Sequence, residues 1–189
     1  MTIPDDKRRK CNDNALDCFG TAYIFGKRAA SIRIRITLLT FLGIAAPAAV
    51  GAIICTFQLM PQNMKYVLVI AGAIGIIQLI FSIWALVAGW NDNLSYYLES
   101  KSHNFRLADQ YSDLAKTTSV SLNEFILRYE VLEAESRHRN DLDNRHDLSD
   151  KEHRLGMRAG LRQYQRPCSA CGDVPTTLKT KKECGVCGK

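Results

Sequence analysis

The chain has 189 residues, of which 47% are hydrophobic and 23% charged, and its formal net charge is +6. These totals suit a soluble protein, but the two kinds of residue are segregated along the chain. Residues 36–60 and 66–90 contain no Asp, Glu, Lys, Arg or His, and hydrophobic residues fill 18 and 20 of the 25 positions in these segments. What remains is too polar to build a single compact core, so the composition excludes an ordinary one-domain soluble protein.

The two apolar segments predict a transmembrane helical hairpin. A helix of 25 residues is about 37 Å long, which is enough to cross a hydrocarbon layer of ~30 Å. We therefore predict transmembrane helices at 36–60 and 66–90, joined by an extracytoplasmic turn at 61–65. The first segment is too long for a signal-peptide core and is soon followed by the second, so we expect it to be retained.

The charge distribution predicts the orientation of the hairpin. Residues 1–35 carry eight Lys or Arg and four Asp, a net charge of +4. Because an excess of Lys and Arg marks the cytoplasmic side, we predict that both termini are cytoplasmic. These basic residues would lie against anionic headgroups, so membrane lipid is the expected partner and nucleic-acid binding is disfavoured.

Small and polar residues form a stripe along the second predicted span. Spacings of four and three residues place six of them on one helical face: Ala71, Gly75, Gln78, Ser82, Ala85 and Gly89. In one interpretation the stripe packs against the first span or another copy of the chain, with Gln78 bonded across the interface. In the other it lines a water-filled path, because a polar residue at that depth needs a partner or water. Two helices cannot enclose such a path, so a pore requires a homo-oligomer.

Amphipathic helices are predicted on both sides of the hairpin. Within 91–160, one helix should run to about Lys116, and Ser121 with Glu124 has the spacing of a capping box at the start of the next. The apolar positions Leu16, Phe19, Tyr23 and Ile24 predict a short juxtamembrane helix within residues 1–35, lying on the membrane or against the later helices.

The segment 133–158 is densely charged and predicts a solvated helical extension. We expect three histidines in it to be exposed rather than metal ligands, namely His138, His146 and His153.

Four cysteines near the C-terminus have the spacing of a structural zinc site. Cys168 and Cys171 form one Cys-x-x-Cys-Gly motif, and Cys184 and Cys187 form another after twelve intervening residues. Tetrahedral Zn²⁺ takes four thiolates, and a cytoplasmic location disfavours disulfides. A redox dithiol pair and a disulfide-linked tail are the alternatives. We predict a zinc ribbon at 167–189 that unfolds without its metal.

Two spans with a tight turn, cytoplasmic helices and the terminal cysteine motifs together resemble the SLATT family of bacterial two-span effectors. The layout matches over about residues 15–132. The cysteines resemble those of a mobile-element branch named for a CxxC, an eleven-residue spacer and a second CxxC; the spacer here is one residue longer. The resemblance implies a pore-forming effector in the inner membrane, used in antiviral or mobile-element conflict. It also implies a separate sensor or signal-generating protein as a partner.

The leading interpretation is an all-α membrane protein that acts as an oligomeric pore-forming effector. The sequence has no acid/base pair, nucleophile constellation or phosphate-binding loop, so we predict that it is not an enzyme. The alternative function is a membrane-anchored adaptor that recruits a protein or nucleic acid through the zinc-ribbon tail. A small transporter or regulatory subunit ranks last, because the spans offer no ionisable residue.

Overall fold

The computed structural model describes residues 3–57, 61–179 and 183–188. These residues form five α-helices: α1 (Asp5–Phe57), α2 (Pro61–Val87), α3 (Trp90–Lys116), α4 (Leu122–Asp143) and α5 (Asp150–Gln163). No strand occurs in this part of the chain, which confirms the all-helical prediction.

The chain divides into two compact units. One consists of residues 28–95, and the other combines residues 1–27 with residues 96–189. We call these the hairpin unit and the core unit, respectively. The division falls inside α1 and α3, each of which contributes residues to both units.

Two helical stretches are long and apolar enough to cross a membrane. They are Asp5–Ala52, which runs from the core unit into the hairpin unit, and Lys65–Val87, and the most apolar window of each has no buried residue. Large apolar side chains such as Ile44, Val69 and Leu86 are at least 70% exposed. A helix that is apolar all round requires apolar surroundings to cover it.

The boundaries of the hairpin helices differ from the sequence prediction in three places. Residues 5–35 form no separate juxtamembrane helix, because they belong to α1, which runs unbroken from Asp5 to Phe57. Helix α2 begins at Pro61, inside the segment predicted as a turn, and proline suits a first helical position because its missing N–H has no helical acceptor. The connection between the helices therefore involves residues 58–60, which lie outside the described residues.

The third difference concerns the end of α2. Gly89 has a φ of +61°, a left-handed conformation that glycine adopts without steric cost. Helix α2 ends before this turn, and Trp90 already belongs to α3. Gly89 therefore ends α2, and the second helix does not extend through residue 90.

The core unit packs the first part of α1 against α3 and α4. Its buried cluster includes Cys11, Ala15, Cys18, Leu107, Ala108, Tyr111, Leu114, Phe125 and Leu132. The rings of Phe19 and Phe105 meet edge to face with centroids 5.2 Å apart. The apolar face foreseen around Leu16 and Ile24 is therefore covered by protein in the core unit.

The cap predicted at the start of α4 is half formed. Ser121 is the N-cap residue, and its hydroxyl accepts the backbone N–H of Glu124 at 3.3 Å. The full reciprocal capping box occurs instead at α5, between Ser149 and Glu152. Helix α3 ends at Lys116, as the sequence predicts.

The charged segment 133–158 departs from the predicted solvated extension. It belongs to two helices, and α5 buries Gly156, Arg158 and three residues after it. Gly156 lies in direct backbone contact with α1, where an added Cβ would stand 2.9 Å from the carbonyl oxygen of Gly20. Glycine is needed at this crossing because the two helix backbones leave no room for a side chain.

The three histidines of this segment lie apart from the cysteines. His138 and His153 are exposed, as predicted, whereas His146 is half-buried and stacks on Tyr96 with ring centroids 4.1 Å apart. The candidate metal cluster found among the described residues contains cysteines alone.

Candidate metal centre

The four cysteines lie on two turns of the same local geometry. The N–H of Gly172 donates to the carbonyl of Cys168 at 2.8 Å, and the N–H of Gly188 donates to the carbonyl of Cys184 at 2.9 Å. Both glycines have positive φ angles, 74° and 65°. This conformation requires glycine, which explains why a glycine follows each Cys-x-x-Cys pair.

The four sulfur atoms converge on one point. All lie within 4.8 Å of one another. Across the two turns, the sulfurs of Cys168 and Cys184 are 3.9 Å apart, and those of Cys171 and Cys187 are 3.6 Å apart. A tetrahedral Zn²⁺ with Zn–S bonds of ~2.3 Å separates its ligands by about 3.8 Å. A disulfide would need about 2.05 Å, so the arrangement fits a tetrathiolate metal ion and not a disulfide.

The electrostatics of the second turn also favour a cation. Backbone N–H groups of Cys187 and Val186 lower the pKa of the Cys184 thiol to about 6. Burial raises the pKa of the Cys187 thiol to about 12. Without a cation the cluster therefore keeps part of its protons, and a bound divalent metal would replace them while binding all four thiolates. The donor set suits zinc or iron.

The cluster shares its core with α1 and α5. Cys168, Cys184 and Cys187 pack with Leu16 and Leu161. Arg166 also pairs with Asp13 at 2.5 Å. The described tail, 164–179 and 183–188, contains turns and no strand, so the four cysteines predicted as a zinc ribbon lie on two short turns attached to helices.

Comparison with known proteins gives a family for the chain. The family described as "Mobilome CxxCx(11)CxxC protein" matches residues 8–189. The chain belongs to this family. Its spacer between the two cysteine pairs has twelve residues instead of the eleven in the family description. No curated protein and no solved structure matches the chain.

The core unit of this mobilome CxxC family member also holds a buried polar network that sequence reasoning missed. Asp143 accepts hydrogen bonds from Tyr96, Ser100 and Asn104 at 2.7 to 2.8 Å. Arg139, one turn earlier in α4, donates to the same carboxylate at 2.9 Å and 3.1 Å. Burial raises the pKa of Asp143, but these donors outweigh it and the net pKa is lowered.

A periodic signal for this network was present in the sequence. Tyr96, Ser100 and Asn104 follow one another at intervals of four residues, on the helical face that continues to Leu107 and Tyr111. Because Ser and Asn are counted as polar, hydrophobic periodicity predicts a shorter buried face for α3 than the structure shows.

In the hairpin unit, the predicted stripe of α2 is only partly turned toward α1. Ala71, Gln78 and Ala85 are half-buried, whereas Gly75 and Ser82 are exposed. A Cβ at Gly43 of α1 would stand 2.6 Å from the amide nitrogen of Gln78, so the Gln78 side chain reaches the first helix.

Ser82 and Gly89 differ from the other members of the stripe. The Ser82 hydroxyl donates to the carbonyl of Gln78 in its own helix at 2.9 Å. Gly89 forms the turn that follows α2. Gln78 is therefore the polar stripe residue whose side chain approaches α1.

Proposed function

We propose that the chain is a homo-oligomeric effector of the bacterial inner membrane that forms a pore when triggered. The carrying observation is a pair of apolar, exposed helices with a polar side chain, Gln78, between them. The resemblance to SLATT effectors and the family's description as a mobilome protein support a role in antiviral or mobile-element conflict.

The exposed surface of the hairpin unit supports membrane insertion. Most Ile, Leu, Val, Phe and Trp side chains along α2 are 46% to 78% exposed. In water such a surface would drive aggregation, whereas in a bilayer it is solvated by acyl chains. The termini would lie in the cytoplasm because Lys and Arg are concentrated before the first span.

A cavity between the two helices supports oligomer formation. About 830 Å³ lies open there, next to small residues that include Gly43, Gly51, Ala71 and Gly75. Membrane helices gain stability by close packing at small residues, and protein interiors leave few large voids. A helix from another copy would fill this space, and the Gln78 amide would then find a partner or water in the assembly.

Leucine at Gln78 tests the pore directly. We expect strong overexpression of the wild-type chain, which takes the place of the trigger, to release a small dye from bacterial cells. Gln78→Leu should lower the leak rate by about tenfold or more, because an apolar constriction excludes water. Ile80→Leu, at an exposed apolar position of the same helix, is the matched control and should leak like the wild type.

Carbonate extraction of the same cells checks that each variant is inserted in the membrane. Equal insertion and equal leakage for Gln78→Leu and the wild type would contradict a pore at this face. Ser82→Leu serves as a second variant, with a smaller expected effect because its hydroxyl already bonds within α2.

An adaptor is the second candidate function, and the separate core of the core unit favours it. The metal-binding turns are attached to this unit and could recruit a protein or nucleic acid while the spans act as a tether. Replacing residues 28–95 by an unrelated two-span hairpin separates the two functions. If the chimera keeps the effect of the wild-type chain on cells, the adaptor is favoured. If the chimera inserts normally in the membrane but loses this effect, the pore is favoured.

A further inference from the structure

Arg158 is a buried cation whose hydrogen bonds all go to the metal-binding tail. Its side chain leaves α5 with 8% of its surface exposed. Nε donates to the carbonyl of Thr177 at 2.6 Å, and one terminal nitrogen donates to the carbonyls of Cys187 and Gly188 at 3.3 and 3.4 Å. The other terminal nitrogen lies 3.4 Å from the Thr177 hydroxyl.

This guanidinium forms no ion pair with any carboxylate in the described parts of the chain. By contrast, the buried side chain of Arg139 forms an ion pair with Asp143. A buried charge without an opposite charge is strongly unfavourable. The carbonyl oxygens around Arg158 supply hydrogen bonds but no net negative charge, so the position calls for an anion nearby.

The metal centre supplies an anion of the required sign. Four thiolates around one divalent ion carry a net charge of 2−. Cys187 provides one of those thiolates, and its own carbonyl accepts a hydrogen bond from Arg158. A Cys₄ site loaded with a divalent metal therefore places net negative charge beside the buried guanidinium.

We propose that Arg158 is the positioning residue and counter-charge of the metal centre. Through the carbonyls of Cys187 and Gly188 it fixes the second metal-binding turn, and through its charge it stabilises the dianionic metal cluster. Residues that support metal ligands in this way commonly change metal affinity by about 10- to 100-fold when they are replaced. The proposal is independent of pore formation and rests on the cysteine cluster alone.

Three variants of the full chain in detergent micelles test the proposal. Arg158→Gln removes the charge but keeps a hydrogen-bond donor, and Arg158→Lys keeps the charge but loses the forked geometry. Arg162→Gln removes an exposed arginine from the same helix and is the matched control. Zn²⁺ affinity is measured by competition with a chromophoric chelator, and the spectrum of bound Co²⁺ reports whether four thiolates still coordinate in a tetrahedral arrangement.

We expect Arg158→Gln to weaken Zn²⁺ binding by about 10- to 100-fold with an unchanged Co²⁺ spectrum. Arg158→Lys should recover most of the loss, and Arg162→Gln should bind like the wild type. Wild-type affinity for Arg158→Gln would overturn the proposal. If Arg158→Gln and Arg158→Lys weaken Zn²⁺ binding equally, the role of Arg158 as a counter-charge is overturned, because the effect would then come from hydrogen-bond geometry. If Arg158→Gln folds only with metal, the loaded chains are compared by their rates of metal loss to excess chelator, and rates equal to the wild type would again overturn it.

Discussion

Asp143 is the residue on which the polar interior of the core unit depends. Five hydrogen bonds from Tyr96, Ser100, Asn104 and Arg139 reach its carboxylate, and the guanidinium of Arg139 also lies 5.0 Å from the centre of the Tyr96 ring. The carboxylate compensates the buried charge of Arg139, so the two residues are needed together. Removing one residue of a buried ion pair costs more stability than replacing both residues by apolar ones.

We predict that Asp143→Asn lowers the free energy of unfolding by about 3 kcal/mol near neutral pH, because Arg139 loses its buried carboxylate partner and keeps the exposed carboxylate of Glu99, 3.0 Å away. The hydrogen bonds hold the folded pKa of Asp143 below its unfolded value. Its ionisation therefore stabilises the fold above a pH of about 4, and that stability is lost as the pH falls through the folded pKa. Denaturant unfolding followed by far-ultraviolet circular dichroism, repeated between neutral and acid pH, measures both effects.

In Asp143→Asn the acid loss of stability should be shallower than in the wild type. Asp141→Asn removes an exposed carboxylate from the same helix and should leave the profile unchanged. An Asp143→Asn profile that matches the wild type at every pH would contradict the role given to this carboxylate.

Residue types decided what the sequence could predict at this scale. The metal cluster was predictable because four cysteines in two short motifs have few alternative explanations. The Asp143 network left only a four-residue spacing on α3 as a signal. Ser, Asn and Asp are common on exposed helix surfaces, so the fold is needed to show that Ser100, Asn104 and Asp143 are buried.

Helix α5 meets α1 through glycines rather than through large side chains. Gly156 and Gly160 are four residues apart, and a Cβ at Gly160 would stand 2.8 Å from the carbonyl oxygen of Leu16. The two backbones are close enough that packing depends on the absence of a side chain at these positions.

We predict that Gly156→Ala destabilises the core unit by about 1–3 kcal/mol, although alanine forms helices better than glycine, because the added methyl overpacks the crossing. It would meet the Ile24 side chain at 2.6 Å and the carbonyl oxygen of Gly20 at 2.9 Å. Thermal unfolding measured by circular dichroism tests this prediction. Arg162→Ala, at an exposed position of the same helix, is the control for helix propensity. A higher midpoint for Gly156→Ala would show that helix propensity outweighs packing here.

Element boundaries were predictable where a local signal marks them. The end of α3 at Lys116 and the cap at Ser121 follow from a polar break and a side chain that accepts a backbone N–H. The continuity of α1 was not predictable, because a change from polar to apolar composition resembles a boundary although helical hydrogen bonding passes through it. The burial of α5 was missed because its contacting residues include glycines, which hydrophobic periodicity does not count.

For the whole molecule, the metal centre links the end of the chain to its beginning. Leu16 near the start of α1 packs in the same buried cluster as Cys168, Cys184 and Cys187. Loss of metal should therefore weaken the contact of α5 with α1 in addition to unfolding the tail.

We predict that the purified chain binds about one zinc ion, and that chelation lowers the thermal midpoint of the core unit. The expected reason is that ligand repulsion replaces metal bonds inside the buried cluster. Metal analysis and thermal scans with and without chelator measure this, and Cys184→Ser should behave like the chelated chain. A Cys55→Ser variant is the control, because Cys55 lies outside the cluster. Absence of metal together with disulfide-blocked thiols would contradict the assignment.

Composition by itself hid this organisation, since the average hydrophobic content combines two exposed apolar helices with a polar, metal-binding core unit. Segregation along the chain revealed the two parts. Oligomer formation leaves no comparable signal in one sequence, because the same small residues serve packing within a chain and between chains.

The two metal-binding turns have a consequence for how such tails diverge during evolution. Each turn is closed by its own glycine, and the sulfurs of the two turns lie together, so ligation does not fix the length of the connecting segment. Lengthening a loop by one residue changes its closure entropy very little. A family described by a spacer of eleven residues can therefore include a chain with a spacer of twelve.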